Sequence, residues 1–83
     1  MRPITIYTTP YCPFCVRAKR LLAQKKLPYQ EIDVSTDDEA RDKLAERTGQ
    51  QTVPQIYIGE THVGGSDELY ALERRGELDA LLQ

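Results

Sequence analysis

Ile4-Thr5-Ile6-Tyr7-Thr8-Thr9-Pro10-Tyr11-Cys12-Pro13-Phe14-Cys15 is the stretch on which the fold turns. Its first five residues are β-branched or aromatic and read as a buried strand. Thr9-Pro10-Tyr11 supplies a turn. A helix then opens with Cys12 near the N-cap and Pro13 at N1, where a missing N–H does no harm. The chain has only two cysteines, and both fall at this strand-to-helix junction. Positions i and i+3 of a helix share one face, about 5–6 Å apart, within the reach of a disulfide. The pair is therefore expected to open and close as an internal disulfide with little backbone movement. Helix onset also puts unpaired N–H groups and the positive dipole end beside Cys12. Both favour its thiolate, the nucleophile of disulfide exchange.

Working outward, Ala18, Leu21, Leu22 and Lys25 continue with helical spacing, and Lys25-Lys26 complement the dipole before Leu27-Pro28 ends the helix. Tyr29 to Val34 reads as a second strand, which completes a βαβ unit with parallel strands and a right-handed crossover. Thr36-Asp37-Asp38-Glu39 has the form of a capping box opening a second helix, which runs to about Thr48, with Gly49 suited to the C′ position. Gln55-Ile56-Tyr57-Ile58, a Gly59-Glu60 turn and Thr61-His62-Val63 read as a hairpin. Gly64-Gly65 breaks the pattern before a last helix near Ser66-Asp67, whose apolar residues include Leu69 and Leu72. Leu78, Leu81 and Leu82 belong to a short tail after Gly76. The order β-α-β-α-β-β-α predicts an α/β fold: one mixed four-stranded sheet flanked by helices, the thioredoxin-like arrangement. It is expected to form one domain over residues 1–83. The cysteine pair falls at the C-terminal end of the first strand, the edge where open α/β sheets collect ligands.

Composition narrows the function. A chain of 83 residues buries a modest core, and small secreted domains usually add several disulfides. One short-loop pair cannot staple a fold, so thiol usage points to a reducing compartment, and a cytoplasmic location is expected. The N-terminus lacks the charged, apolar and cleavage regions of a signal peptide, and no run is long enough to span a membrane. A net charge of −2 argues against general affinity for nucleic acid. Arg17, Lys19, Arg20, Lys25 and Lys26 cluster, which reads as a solvated helix face. With no obvious apolar patch, a monomer is expected.

Three blocks carry a resemblance that spans nearly the whole chain: Cys12-Pro13-Phe14-Cys15, then Thr52-Val53-Pro54, then Gly64-Gly65-Ser66-Asp67. In this order and at these separations they resemble the dithiol glutaredoxins of the short bacterial kind. The resemblance implies a glutathione-dependent thiol–disulfide oxidoreductase that reduces protein disulfides and glutathione mixed disulfides. Glutathione would be its co-substrate, with no bound cofactor and no metal. It further implies that Pro54 is cis and lies beside the cysteines, and that glutathione pairs with the backbone of Val53.

The residues have physical readings of their own. Cys12, at the helix end and near solvent, is expected to attack, and Cys15, one turn in and more buried, to resolve. A turn before a strand exposes backbone groups on which an extended peptide can pair. The onset of the last helix can receive a carboxylate, and Asp67 can accept an ammonium, although Ser66 or Asp67 as a plain cap explains the same residues. Many relatives carry a lysine three residues before the first cysteine. This chain has Thr9 there, and Arg41 is the candidate replacement for its charge. Tyr11 and Phe14 complete the expected contacts, Phe14 as an apolar wall where tyrosine is more frequent. The expected glutathione set is thus Thr9, Tyr11, Phe14, Arg41, Thr52, Val53, Pro54, Gly65, Ser66 and Asp67. Two alternatives share the cysteine spacing: a reductant recharged by a flavoprotein reductase, and an iron–sulfur or metal carrier, which Pro13 disfavours by stiffening the turn.

Overall fold

The computed structural model describes residues 1–83. Its strands are β1 (Ile4–Thr8), β2 (Gln30–Asp33), β3 (Gln55–Ile58) and β4 (Thr61–Gly64). Its helices are α1 (Pro13–Gln24), α2 (Asp38–Thr48), α3 (Ser66–Arg74) and α4 (Leu78–Leu82). The sheet order is β2-β1-β3-β4. β1 is parallel to β2 and antiparallel to β3, and β3 and β4 form the expected hairpin. The short tail after Gly76 forms the helix α4.

Alternation in β1 decides the core. Ile4, Ile6 and Thr8 are buried, and the register sets Ile4 opposite Ile58 and Ile6 opposite Ile56. That isoleucine surface packs against Ala18, Leu21 and Leu22 of α1, Leu69 of α3, and Leu78 and Leu82 of α4. The i, i+3, i+4 spacing of the α1 residues explains why one helical face suffices. Polar ties fix the same layer. Tyr70 Oη donates to the Arg17 carbonyl at 3.0 Å. Lys25 Nζ lies 2.9 Å from Glu73 and 3.2 Å from Asp79. At the far end of β1 from the cysteines, Arg2 N–H donates to the Leu82 carbonyl at 2.8 Å, joining the two ends of the chain.

The other face is thinner and more polar. α2 buries only Leu44, and its Arg47 guanidinium sits over the Tyr57 ring, 4.6 Å from the centroid. Tyr57 in turn meets Tyr7 edge-on at 6.1 Å.

Three helix ends differ from the sequence reading. Asp37, not Thr36, caps α2, its carboxylate accepting from Ala40 N–H at 3.0 Å. A carboxylate caps better than a threonine hydroxyl and adds charge at the positive end. The first helix stops at Gln24, short of Leu27-Pro28, because Lys26 takes a left-handed conformation with φ 59°. The last helix is capped by Gly65, not by Ser66 or Asp67, which become its first two residues. Gly49 closes α2 in the left-handed C′ geometry as expected.

Candidate active site

The site begins where β1 gives way to α1. Pro10-Tyr11 turns the chain, with Tyr11 at φ 61° and fully exposed, and Cys12 becomes the N-cap of α1. Its Sγ accepts the Cys15 N–H at 3.1 Å, the bond a serine or aspartate cap makes with oxygen. No acidic residue stands in this first turn to compete for the dipole. Cys12 is half-buried and Cys15 is 1% exposed, both as free thiols. Burial, then the Cys12 side chain, pushes the Cys15 thiol up to about 12. Behind the pair, Thr8 Oγ1 donates to Glu31 at 2.8 Å, and Lys19 meets the same carboxylate oxygen at 3.0 Å. The two hold the Glu31 carboxyl below its ordinary range, the threonine contact being the larger effect.

Cys12 Sγ faces the Val53 carbonyl at 3.7 Å. Val53–Pro54 is cis, and the Val53 N–H has no partner within the chain. The turn before β3 therefore offers unpaired backbone beside the thiol. Two adjoining cavities open along it. One, of about 240 Å³, lies between Phe14, Thr52, Val53 and Pro54 on one side and Gly65, Ser66, Asp67 and Glu68 on the other. The other, of about 430 Å³, continues past Thr52 and Val53 to Asp38, Arg41, Asp42, Leu44 and Ala45 of α2. Gln50, Thr52 and Val53 line both, so the two form one trough.

Each end of the trough has its own chemistry. At the α3 end, Glu68 returns its carboxylate to Gly65 N–H at 2.8 Å, which leaves Ser66 and Asp67 free of capping duty. The Ser66 hydroxyl is buried with no partner, and Asp67 is exposed. Gly64 permits this close approach: a Cβ there would sit 2.7 Å from Glu68 Oε1, and its φ of +117° excludes most side chains. At the α2 end stands the exposed guanidinium of Arg41. Phe14, 52% exposed, forms the wall next to the thiols, and Arg17 lies 5.9 Å from its centroid and 5.4 Å from that of Tyr70.

Eight of the ten expected contact residues line the trough. Thr9 and Tyr11 do not, although they flank Cys12 in the chain. Sequence reasoning missed Gln50, Gln51, Asp38, Asp42 and Glu68. A helix stop at Gly49 signals a turn but gives no clue to which side chains it presents. Glu68 was legible in principle, as an acid at N3 of a glycine-capped helix. His62 stands away from the cysteines, its Nε2 2.7 Å from Gln55 Oε1 and its ring against Tyr57.

Comparison with known proteins agrees with this geometry. The glutaredoxin family model matches residues 4–63. The chain is 58% identical over 82 residues to glutaredoxin of Pseudomonas aeruginosa, covering 99% of this chain and 98% of that one. It superposes on the solution structure of Brucella melitensis glutaredoxin with a TM-score of 0.89 at 55% identity, covering 99% of this chain and 89% of that one. With the crystal structure of a buckwheat glutaredoxin–glutathione complex the TM-score is 0.92 at 34% identity, over 98% and 76% of the two chains. A sulfur-capped helix, a free backbone edge and a trough between two helices thus occur in a chain that belongs to the glutaredoxin family, a glutathione-dependent thiol–disulfide oxidoreductase with Cys12-Pro13-Phe14-Cys15 as its redox motif.

Proposed function

We propose that Cys12 is the attacking thiol, Cys15 the resolving thiol, and the trough the seat of glutathione. The observation that carries this is the unequal setting of the two sulfurs. Cys12 Sγ caps α1 and faces the carbonyl of Val53, a residue lining the trough, while Cys15 is buried with its thiol pushed up to about 12. At neutral pH the second sulfur keeps its proton until a neighbour becomes a leaving group.

The Cys12 thiolate attacks the glutathionyl sulfur of a mixed disulfide. The substrate sulfur leaves with the electron pair and takes a proton from water. Glutathione, now disulfide-bonded to Cys12, lies extended along Val53, whose unpaired N–H, and whose C=O once the Cys12 thiol no longer donates to it, suit a short added strand. Its α-carboxylate meets the first turn of α3 and the Ser66 hydroxyl, and its ammonium meets Asp67. Its glycyl carboxylate meets Arg41, which supplies the cation that Thr9 lacks. Thr52 and Pro54 shape the floor, Phe14 the wall, Gly65 allows close approach, and Thr9 and Tyr11 flank Cys12 in the chain without lining the trough. A second glutathione thiolate then attacks the bound glutathionyl sulfur, releasing glutathione disulfide and the Cys12 thiolate. With a protein disulfide, Cys15 displaces the substrate and leaves a Cys12–Cys15 bond, which two glutathiones reduce. Glutaredoxin potentials of roughly −200 to −230 mV lie near the biochemically extracted glutathione poise, so that pool sets the direction.

The same reading makes residues 1–83 one functional domain, monomeric and cytoplasmic, acting on glutathionylated or disulfide-bonded proteins. No helix is long and apolar enough to cross a membrane. The direct test is steady-state reduction of a small glutathione mixed disulfide, with glutathione or with thioredoxin reductase as the electron source. Turnover with glutathione alone is expected. Turnover with the flavoprotein alone would overturn the reading.

A further inference from the structure

One buried polar side chain lies behind the trough and takes no part in the chemistry above. Gln55, the first residue of β3, is 0% exposed, yet both ends of its amide are engaged. Its Nε2 donates to the Thr52 carbonyl at 2.9 Å and to Gln50 Oε1 at 2.9 Å. Its Oε1 lies 2.7 Å from His62 Nε2, on the neighbouring strand β4. The Thr52 carbonyl can only accept, so it fixes which end of the amide faces the loop. The other end must then be the acceptor, and His62 must carry its proton on Nε2. Tyr57, stacked on the imidazole at 5.1 Å, holds the ring in that orientation.

The consequence is mechanical. Gln50 and Thr52 line both halves of the trough, and Thr52 immediately precedes the Val53–Pro54 turn that faces Cys12. No other side chain in the molecule bonds to residues 50–54 from the sheet. A polar group buried this deeply costs free energy unless every bond is made, so its presence in an otherwise apolar strand calls for a role.

We propose that Gln55, anchored on the sheet side by His62, is a positioning residue that locks the 50–54 loop in its glutathione-receiving conformation. The proposal rests on the trough being the glutathione site. Gln55 touches no reacting atom, and it acts by fixing where the Val53 backbone stands relative to the sulfur.

Gln55→Glu keeps the acceptor for His62 and removes the donor, setting a carboxylate oxygen against the Thr52 carbonyl. KM for a small glutathionyl mixed disulfide is expected to rise about tenfold, the weight of one to two buried hydrogen bonds. The kcat and the rate at which iodoacetamide alkylates Cys12 are expected to stay near those of the parent. His62→Phe keeps the stacked ring but leaves the buried Gln55 Oε1 without its partner. It is expected to shift KM in the same direction by a smaller factor, and the double variant is expected to be less than additive. Because His62 lines neither half of the trough, its effect on KM has to pass through Gln55, so this variant decides the matter if Gln55→Glu does not fold. An unchanged KM in folded Gln55→Glu or in His62→Phe would overturn the proposal. So would KM and alkylation rate changing together. Asp67→Ala, run in parallel, tells the two levels apart: if it too leaves KM unchanged, the trough itself is not the glutathione site.

Discussion

Two helices begin at the same trough, and they begin differently. α1 is capped by a sulfur atom, with no acid in its first turn. α3 is capped by a glycine, with Asp67 and Glu68 in its first turn and the Glu68 carboxylate returned to Gly65 N–H. Both ends present positive potential and unpaired N–H groups. At α1 the group that answers is the Cys12 sulfur, which accepts the Cys15 N–H. At α3 one acid absorbs part of the demand while Ser66 and Asp67 stay open to a ligand. On the function proposed above, one onset serves bond making and the other serves holding, and the side chain that satisfies the cap decides which.

The sharpest way to break this contrast is at α1. Cys12→Ser keeps an oxygen cap but removes the nucleophile, and turnover with both glutathionyl and dithiol substrates is expected to fall to background in a coupled glutathione assay. Cys15→Ser is expected to lose reduction of dithiol substrates while retaining removal of glutathione. Should the two variants show the opposite pattern, the assignment of roles to the sulfurs is wrong. At α3, Asp67→Ala is expected to raise KM for glutathionyl substrate about tenfold with little change in kcat.

Smaller effects sharpen the picture. The Cys15 thiol is raised from 9.0 to about 12 in the folded, reduced protein, with burial as the leading cause. Its unfolded counterpart loses the proton first, so this contribution to stability is intact below about pH 8.5 and declines as pH climbs toward 12. Thermal melts of the reduced protein across pH 8–11 are expected to show that decline, and Cys15→Ser to flatten it. Mass spectrometry after iodoacetamide at pH 8 is expected to find one adduct, on Cys12. Last, Glu68→Ala removes the return bond to Gly65 and is expected to cost about 1 kcal/mol of stability. A loss of glutathione affinity as large as that of Asp67→Ala would mean that capping and binding at α3 are not separable.

Most of the architecture was legible because the periodicities are clean. Ile4-Thr5-Ile6-Tyr7-Thr8 alternates, the α1 apolar residues recur at helical intervals, and Gly49 and the Gly59-Glu60 turn mark their boundaries. The thiol junction was legible too, since Pro13 fixes the first helical position and so makes Cys12 the cap. Helix starts with several adjacent candidates were not. Thr36 and Asp37 both cap well, and so do Gly65, Ser66 and Asp67, and only tertiary packing chooses among neighbours. Gln55 shows the other limit. Strand periodicity put it in a hairpin, but its partners Gln50, Thr52 and His62 are set by how the preceding loop folds back, which leaves no mark in the spacing.

The bond from Arg2 to Leu82 ties the start of β1 to the end of α4, at the opposite end of β1 from the sulfurs. A short engineered linker there would make the backbone a closed ring. New ends could then be cut at the exposed Glu60 in the β3–β4 turn. Rearranged in this way, the polypeptide would keep its sulfur-bearing pole untouched, a freedom useful for coupling it to an electron donor or a reporter.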